Sequence, residues 1–446
     1  WSMVTNVTDK YLKMKIHILG ICGTFMGGLA QILIEKGHTV SGSDKQFYPP
    51  MSDQLNSLGI EMIEGYEELN LPSADLYVIG NSLSRGNSSV EYILNQKLEY
   101  TSGPQMLGDM IRDRTVIAVS GTHGKTSTSF LLCEIFQAQG IDIGFLVGGV
   151  SDSFENSARL GSSPYFVIEA DEYDSAFFDK RSKFVHYHPH TFIVNNIEFD
   201  HADIFNDVSD ILKQFHHAIR TVPANGHVLF HDDDKNILDL IELGCWSNKH
   251  QLGSQETIQL SIDEGAISFQ NQKFAIRDLP LHGEHNLRNA VMAMYAAFLH
   301  GIHPKESFSA LKHSKGVKRR FETVFQNEDK LVIDDFAHHP TAIAHTVKAA
   351  INHFPSQKIL GIIELASNTM SQGHHGAELY ESSSGLEKVF WLNLSGKRNQ
   401  EFEYDSIKLL LTDLKKDIVN FDVILIMSNK DSKKISEPVI DLIKSK

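Results

Sequence analysis

Short apolar runs alternate with longer amphipathic stretches from about residue 15 onward, and most runs close on a glycine or a polar cluster. Lys15-Ile16-His17-Ile18-Leu19 predicts a strand, Gly20-Ile21-Cys22-Gly23 a glycine turn, and Gly27 to Glu35 the helix after it. Thr39-Val40-Ser41-Gly42-Ser43-Asp44 predicts a second strand ending in an acid. Leu76-Tyr77-Val78-Ile79 predicts a third, followed by Gly80-Asn81-Ser82. Strands that alternate with helices in this way imply a parallel sheet. The pattern restarts with Val116-Ile117-Ala118-Val119, Tyr165-Phe166-Val167-Ile168 and Thr191-Phe192-Ile193-Val194, then turns β-rich at about 226–281. Gly316-Val317-Lys318-Arg319-Arg320 reads as an exposed linker. Beyond it, Leu331-Val332-Ile333, Lys358 to Ile363, Val389 to Leu392 and Val423 to Ile426 are strands with helical stretches between them.

The richest chemistry lies at the end of the fourth strand, where residues 120–128 read Ser-Gly-Thr-His-Gly-Lys-Thr-Ser-Thr. Gly121 and Gly124 allow a tight turn that aims backbone N–H groups at one point, Lys125 supplies a cation, and the Thr126 hydroxyl suits magnesium. With Thr122 and Ser127 this is a phosphate cradle, one spacing shorter than the common loop, because Val119 stands five residues before Gly124. A helix from about Ser127 to Gly140 is expected to pack Leu131, Leu132, Ile135 and Phe136 on one face and point its positive end at the anion. The loop implies a nucleoside triphosphate, so ATP and Mg2+ are the expected cofactors.

The fold class expected is therefore α/β in three domains. These are a Rossmann-like N-terminal domain at 14–114, a central P-loop ATPase-like parallel sheet with an extra β piece at 115–316, and a C-terminal Rossmann-like α/β domain at 317–446. The first turn is an imperfect dinucleotide fingerprint, since Cys22 and Phe25 stand where small glycines are expected; Asp44 lies where an acid would read a ribose. A nucleotide is expected there, and a hydride-transfer cofactor is not.

Charge narrows the partners. The 446 residues carry a formal net charge of −15, which argues against nucleic acid or an anionic membrane surface as partner and makes local cationic sites necessary for anionic ligands. Three widely spaced cysteines, Cys22, Cys133 and Cys245, imply no disulfide framework and fit a reducing compartment. Neither a bilayer-spanning apolar stretch nor a signal-peptide pattern is present, so a cytoplasmic protein is expected. His186-Tyr187-His188-Pro189-His190 has a metal-like look but reads as a solvated loop.

Two central strands end in dense polar clusters: Glu169-Ala170-Asp171-Glu172-Tyr173-Asp174, and Asn195-Asn196-Ile197-Glu198-Phe199-Asp200-His201-Ala202-Asp203. Ligands of open α/β sheets sit at such carboxyl ends. Close carboxylates repel, and a divalent cation relieves that, so Thr126, Glu169 and His201 are the candidate metal-facing residues. His285, Asn286 and Asn289 open a later helix and are placed either to read an adenine edge or to cap the helix. Asp334-Asp335-Phe336-Ala337-His338-His339-Pro340 follows a C-terminal strand, and Arg320 at the linker is placed to reach a γ-phosphate.

The order of these motifs resembles the Mur ligase family over nearly the whole chain, from about residue 15 to about 375. The resemblance implies a UDP-N-acetylmuramoyl site in the first domain, ATP in the second and an amine substrate brought by the third. By motif, it implies that Lys125 holds phosphates, Thr126 and Glu169 take one magnesium and His201 another. Asn286 and Asn289 would face adenine, Arg320 the γ-phosphate and Asp335 the ribose. Lys125, His201 and Arg320 are thus the catalytic candidates, and the UDP substrate is expected at Gly23, Asp44, Ser82 and Arg85. The family's carbamylated lysine is unassigned: Lys213 is the nearest, while His216 falls at the expected position. Within the family, the Asp-Glu-Tyr and Asp-Phe-Ala-His-His-Pro segments are similar to the branch that adds L-alanine. Tyr48-Pro49-Pro50-Met51, Thr101-Ser102-Gly103-Pro104, Ala176 to Phe184 and Ser367-Asn368-Thr369-Met370 are similar to a branch that joins a recycled peptide, L-Ala-γ-D-Glu-meso-diaminopimelate, to UDP-N-acetylmuramate. That branch usually carries Glu-Pro-Arg-Ser-Asn-Thr-Met-Lys, whereas Glu364-Leu365-Ala366-Ser367-Asn368-Thr369-Met370-Ser371 lacks the Pro, the Arg and the final Lys. A murein peptide is the expected amine partner, and a monomer or weak dimer the expected assembly.

Overall fold

The computed structural model describes residues 13–48, 51–200, 204–253, 258–366, 370, 376–395 and 403–445. His201, and most of 367–375, lie outside the described residues.

The N-terminal sheet contains β1 (Lys15–Leu19), β2 (Thr39–Asp44), β3 (Glu61–Glu64), β4 (Leu76–Ile79) and β5 (Tyr100–Ser102) in the order β3-β2-β1-β4-β5. Every pairing is parallel. The order reverses at β1, so the crevice over the Gly20–Gly23 turn is where a ligand fits. Helix Thr24–Glu35 starts three residues earlier than the apolar period suggested, with Gly23 as its N-cap. Its Gly27 is packed so closely that a Cβ would stand 2.0 Å from the Met51 sulfur.

The central sheet is built from β6 (Thr115–Ser120), β7 (Gly144–Leu146), β8 (Ala158–Arg159) and β9 (Tyr165–Glu169), then β12 (Thr191–Val194), β13 (His227–His231) and β14 (Asn248–Leu252). Between these groups lies the hairpin of β10 (Asp174–Ala176) and β11 (Asp179–Ser182). The strand order is β14-β13-β12-β6-β9-β7-β8, with only β7–β8 antiparallel. Two strands of the expected β-rich piece are therefore members of the main sheet. The extra antiparallel unit is confined to β15 (Ile258–Ser261), β16 (Ala266–Phe269) and β17 (Gln272–Ala275).

Helix Lys125–Ala138 begins two residues before the expected start and is buried almost all round. It lies between the sheet and helix Glu284–Leu299, so Phe130 and Cys133 are covered as well as Leu132, Ile135 and Phe136. Each such apolar side chain contributes about 1.5–3 kcal/mol on burial, which anchors the loop at the helix's N-terminus. The one-face reading fails because a second layer covers the outer side.

The C-terminal sheet runs β18-β19-β23-β20-β21-β22, from β18 (Glu322–Gln326), β19 (Leu331–Asp335), β20 (Ile359–Glu364), β21 (Lys388–Leu392), β22 (Glu403–Tyr404) and β23 (Val423–Met427). Only β18 is antiparallel. The expected exposed linker is half-buried instead. Val317 bridges Ser151, Ser151 Oγ donates to the Gly316 carbonyl at 2.8 Å, and the Lys318 N–H donates to the Val150 carbonyl at 2.8 Å. Polar side chains made this segment look solvated, yet its backbone pairs with a loop more than 160 residues earlier in the chain. The 186–190 segment is only partly solvated: His188 is exposed, but His186 is 2% exposed, 2.9 Å from Gln105 and 3.0 Å from Asp179.

Candidate active site

Strand order places the chemistry. In the central sheet the connections run to opposite sides of β6, so the loop after β6 emerges between the ends of β9 and β12. Register confirms the alignment: Val119 pairs Glu169, and Ser120 pairs Val194. Both polar clusters therefore flank the phosphate loop.

The loop is held from beneath. Gly121 (φ 127°) and Gly124 (φ 80°) take conformations that other residues rarely adopt. A Cβ on Gly124 would stand 2.5 Å from Asn289 Oδ1 and 3.0 Å from Asn195 Nδ2. Asn196 accepts from the His123 N–H at 2.7 Å and donates back to the His123 carbonyl at 3.2 Å. The Thr122 hydroxyl accepts from the Glu198 N–H at 2.9 Å, so its role is in shaping the loop. Asn195 and Asn196 stand in a quoted motif without an expected task, because bracing depends on β12 lying beside β6.

Lys125 is the charge centre. Its Nζ donates to the Gly121 carbonyl at 2.6 Å and lies 3.4 Å from Glu172 and 3.7 Å from Asp171. Those carboxylates outweigh the burial penalty and hold its pKa well above the ordinary lysine value. Thr126 Oγ1 lies 3.0 and 3.1 Å from the two Glu169 oxygens, and the Gly148 N–H donates to Glu169 at 2.7 Å. Burial and the Asp171 charge raise the Glu169 pKa. A hydroxyl beside a carboxylate short of positive charge is a hard-oxygen donor set of the kind magnesium takes.

Opposite the loop stands Arg320. Its guanidinium packs over the Phe336 ring at 4.9 Å, with Arg319 at 5.1 Å from the same ring. Arg319 (φ 60°) and Phe321 (φ 55°) flank it in left-handed backbone, a strained arrangement that presents Arg320 inward. Arg319 itself pairs with Asp334 at 3.2 Å. The Arg320 guanidinium makes no hydrogen bond or ion pair among the described residues. Burial lowers its pKa against the opposing pull of Asp335 and Glu169. A cleft of about 220 Å³ opens here, lined by Ser127, His282, Asn286, Lys318, Arg320 and Phe321 among others.

The other expected residues divide. Asn286 faces the cleft, although its Nδ2 donates to the His282 carbonyl at 2.8 Å. Asn289 sits against Gly124. His285 does neither: it stacks on His345 at 5.6 Å, and burial lowers its pKa to about 3. Neither His285 nor Asn286 caps the helix, whose N-cap is Gly283. Asp335 is 5% exposed, and its oxygens accept from the Phe321 and Ala337 N–H groups at 2.7 and 2.8 Å and lie 3.2 Å from Thr346 Oγ1. It anchors the strained turn and does not line the cleft. Lys213 pairs with Asp210 at 3.0 Å and is 65% exposed, while His216 is buried beside Trp246.

In the N-terminal domain, Asp44 accepts from the Cys22 N–H at 2.8 Å and Tyr66 Oη at 3.2 Å, fixing the glycine turn. Gly23 and the exposed Ser82 border that turn. Arg85 lies apart, paired with Glu91 at 2.8 Å on the surface. The turn reaches the central domain through Phe25, whose ring lies 5.6 Å from Lys183 Nζ. Lys183 pairs with Asp171 at 3.4 Å, which links the two sites by charge.

Three α/β units with a phosphate loop at the switch point of the middle one are the build of a nucleotide-handling protein. Residues 15–115 match the Mur ligase family catalytic domain, 119–297 the Mur ligase middle domain and 319–428 the Mur ligase glutamate ligase domain. The chain belongs to the Mur ligase family. It is 47% identical to the UDP-N-acetylmuramate–L-alanyl-gamma-D-glutamyl-meso-2,6-diaminoheptandioate ligase of Haemophilus influenzae, over 84% of this chain and 85% of that protein. The Escherichia coli protein of the same name is 46% identical, over 85% of each. The crystal structure of a murein peptide ligase from Psychrobacter arcticus superposes with a TM-score of 0.75 at 38% identity, covering 96% of this chain and 98% of that one. No helix among the described residues is long and apolar enough to cross a membrane.

Proposed function

We propose that this protein is an ATP-dependent ligase that joins L-Ala-γ-D-Glu-meso-diaminopimelate to UDP-N-acetylmuramate, in the cytoplasm, within peptidoglycan recycling. The observation that carries the reading is the unpaired Arg320 guanidinium facing a phosphate loop whose lysine is already charged. Two cations, Lys125 and Arg320, face the place where a γ-phosphate would transfer. The names of the relatives at 46–47% identity support the peptide as the amine.

The muramate carboxylate is a poor acyl donor. Its oxygen attacks the γ-phosphorus, the bond to ADP breaks, and an acyl phosphate forms. The peptide's amino nitrogen then attacks the carbonyl carbon and loses a proton; the tetrahedral intermediate expels phosphate with the original carboxylate oxygen. Lys125 and Arg320 neutralise the transferring phosphoryl group, and the loop amides position it. Magnesium, held at Thr126 and Glu169, would add charge neutralisation between the phosphates. His201 is kept as the ligand for a second magnesium. The acyl phosphate hydrolyses if wet, so the strained turn at 319–321 serves as the hinge that closes the C-terminal domain over the cleft.

We place the UDP moiety over the Gly20–Gly23 turn, with Gly23, Asp44 and Ser82 beside it, and route the muramoyl group past Phe25 and Lys183 towards Lys125. The domains run 14–114, 115–316 and 317–446, and the protein acts as a monomer or weak dimer. Leu365 and Ala366, in place of the Pro-Arg of the peptide-joining branch, favour a modified grip on the peptide's carboxylates. The test measures ADP formation with UDP-N-acetylmuramate and either the tripeptide or free L-alanine. Turnover with L-alanine alone would assign the alanine-adding activity instead.

A further inference from the structure

Glu198, just beyond the β12 asparagines, has its backbone in one domain's business and its side chain in another's. The backbone is fastened to the phosphate loop. The Glu198 N–H donates to the Thr122 hydroxyl at 2.9 Å, and the Thr122 N–H donates to the Asn196 carbonyl at 3.0 Å. The side chain leaves the central domain. The Thr341 hydroxyl, 143 residues further along in the C-terminal domain, donates to Glu198 Oε2 at 2.6 Å. His123 Nε2, on the phosphate loop itself, lies 3.5 Å from the same oxygen.

The C-terminal side is built to make this contact. His339 is the N-cap of helix Pro340–His353. Its Nδ1 accepts from the Thr341 N–H at 3.4 Å, so in the neutral ring the proton is on Nε2, which lies 3.2 Å from the Phe199 carbonyl oxygen. The His339 ring thus fixes the first helical turn and leaves the Thr341 hydroxyl to meet the carboxylate. Glu198 stands at the positive end of that helix, where a negative charge is stabilised. Burial works against the charge, but His123 and Thr341 outweigh it and bring the Glu198 pKa down to about 2, so the carboxylate is ionised at neutral pH. A hydrogen bond to an ionised acceptor is roughly twice as strong as one between neutral groups. The His123 and His339 rings, with centroids 4.9 Å apart, meet across the same gap.

We infer that Glu198 is a positioning residue that couples closure of the C-terminal domain to the phosphate loop: the Thr341 hydroxyl fixes its carboxylate, and its backbone in turn sets the Thr122–His123 turn under the γ-phosphate. Opening about the strained 319–321 turn must break the Thr341 contact and free that end of the link. Glu198 acts through the loop and not on the reacting atoms. Its part in turnover rests on the reading that this loop transfers a γ-phosphate to a muramate carboxylate; the latch between the two domains does not.

The test uses the whole protein and four variants: Thr341→Val, which keeps the shape and removes the hydroxyl; Thr341→Ser, which keeps the hydroxyl; Glu198→Ala; and Glu198→Ala with Thr341→Val. With ATP, Mg2+, UDP-N-acetylmuramate and the tripeptide, Thr341→Val is expected to lower kcat about tenfold or more, with KM for ATP and for UDP-N-acetylmuramate unchanged. Thr341→Ser is expected to restore kcat, and the double variant to be no slower than Glu198→Ala. Small-angle X-ray scattering with a non-hydrolysable ATP analogue and Mg2+ reads closure without turnover. The radius of gyration is expected to be smaller in the wild type and Thr341→Ser than in Thr341→Val and Glu198→Ala. Normal kcat in Thr341→Val, a loss confined to KM, losses that multiply in the double variant, or one radius for all the proteins would each overturn the proposal. A wild type that forms no ADP would sink the ligase reading, and the scattering would still decide the latch. Glu198→Ala reads the same radius as Thr341→Val, so a folding defect in one leaves the comparison standing.

Discussion

Replacing Lys125 by alanine separates what this residue does for the fold from what it does for phosphate. Its Nζ is 3.4 Å from Glu172 and 3.7 Å from Asp171, with Lys125 11% and Glu172 3% exposed. At an effective dielectric near 20, each contact is worth about 5 kcal/mol of attraction. Desolvation offsets much of that, but removing one partner of a buried pair leaves the other charge in place and costs about 3–5 kcal/mol. Lys125→Ala is therefore expected to lower the unfolding free energy of the central domain by that amount, read as a shift in urea midpoint. ADP formation is expected to fall by about 10²–10³ or more, as for loss of one preorganised group facing developing charge. Adding Glu172→Gln removes the stranded anion. The double variant is expected to regain most of the lost stability and none of the lost turnover. Two outcomes would refute the reasoning: a double variant no more stable than Lys125→Ala, or near-normal ADP formation in either.

Four further outcomes follow from the same geometry. Arg320→Ala is expected to cut turnover by about 10²–10³ with UDP-N-acetylmuramate affinity unchanged; equal activity would remove the guanidinium from the reaction. Glu169→Gln is expected to raise the magnesium concentration needed for half-maximal ADP formation about tenfold or more, and an unchanged magnesium curve would exclude this carboxylate. Gly124→Ala places a Cβ 2.5 Å from Asn289 Oδ1 at a φ of 80°; nucleotide binding measured calorimetrically is expected to be lost, and retained binding would contradict the cradle. Burial depresses His17 and His300 to about 4 and His231 to about 3. The unfolded chain protonates these rings first, near 6.5, so it binds more protons than the fold between pH 6.5 and about 4. Stability is expected to be full above pH 6.5 and to fall as pH drops through that window; a flat urea midpoint from pH 7 to 5 would contradict it.

Much of this architecture was legible because its signals are local. β1, β2, β4 and β12 begin and end where the apolar runs do. The phosphate loop announces itself by glycines, lysine and threonine within six residues, and strand-end carboxylates mark the same edge of the sheet. What stayed hidden depends on distant segments meeting. Nothing in Gly316–Arg320 reveals its pairing with 148–153, since exposed and zipped linkers share a polar composition. The 186–190 segment looked solvated because its histidines are polar, but helix Gly103–Met110 packs so close that a Cβ on Gly108 would stand 2.1 Å from the His186 carbonyl oxygen. Asp335 was expected to face a ribose, and its carboxylate instead ties down Phe321 and Ala337. The convergence of His123, Glu198 and His339 brings together residues from positions more than 200 apart, which no local pattern encodes.

Amide formation between a muramate carboxylate and a peptide amine is the activity proposed for this site. The most direct measurement is steady-state phosphate release with ATP, Mg2+ and UDP-N-acetylmuramate, comparing L-Ala-γ-D-Glu-meso-diaminopimelate with free L-alanine. Release is expected only when all substrates are present, with kcat/KM for the tripeptide higher by about two orders of magnitude or more. Equal or better turnover with L-alanine, or release that ignores UDP-N-acetylmuramate, would contradict it.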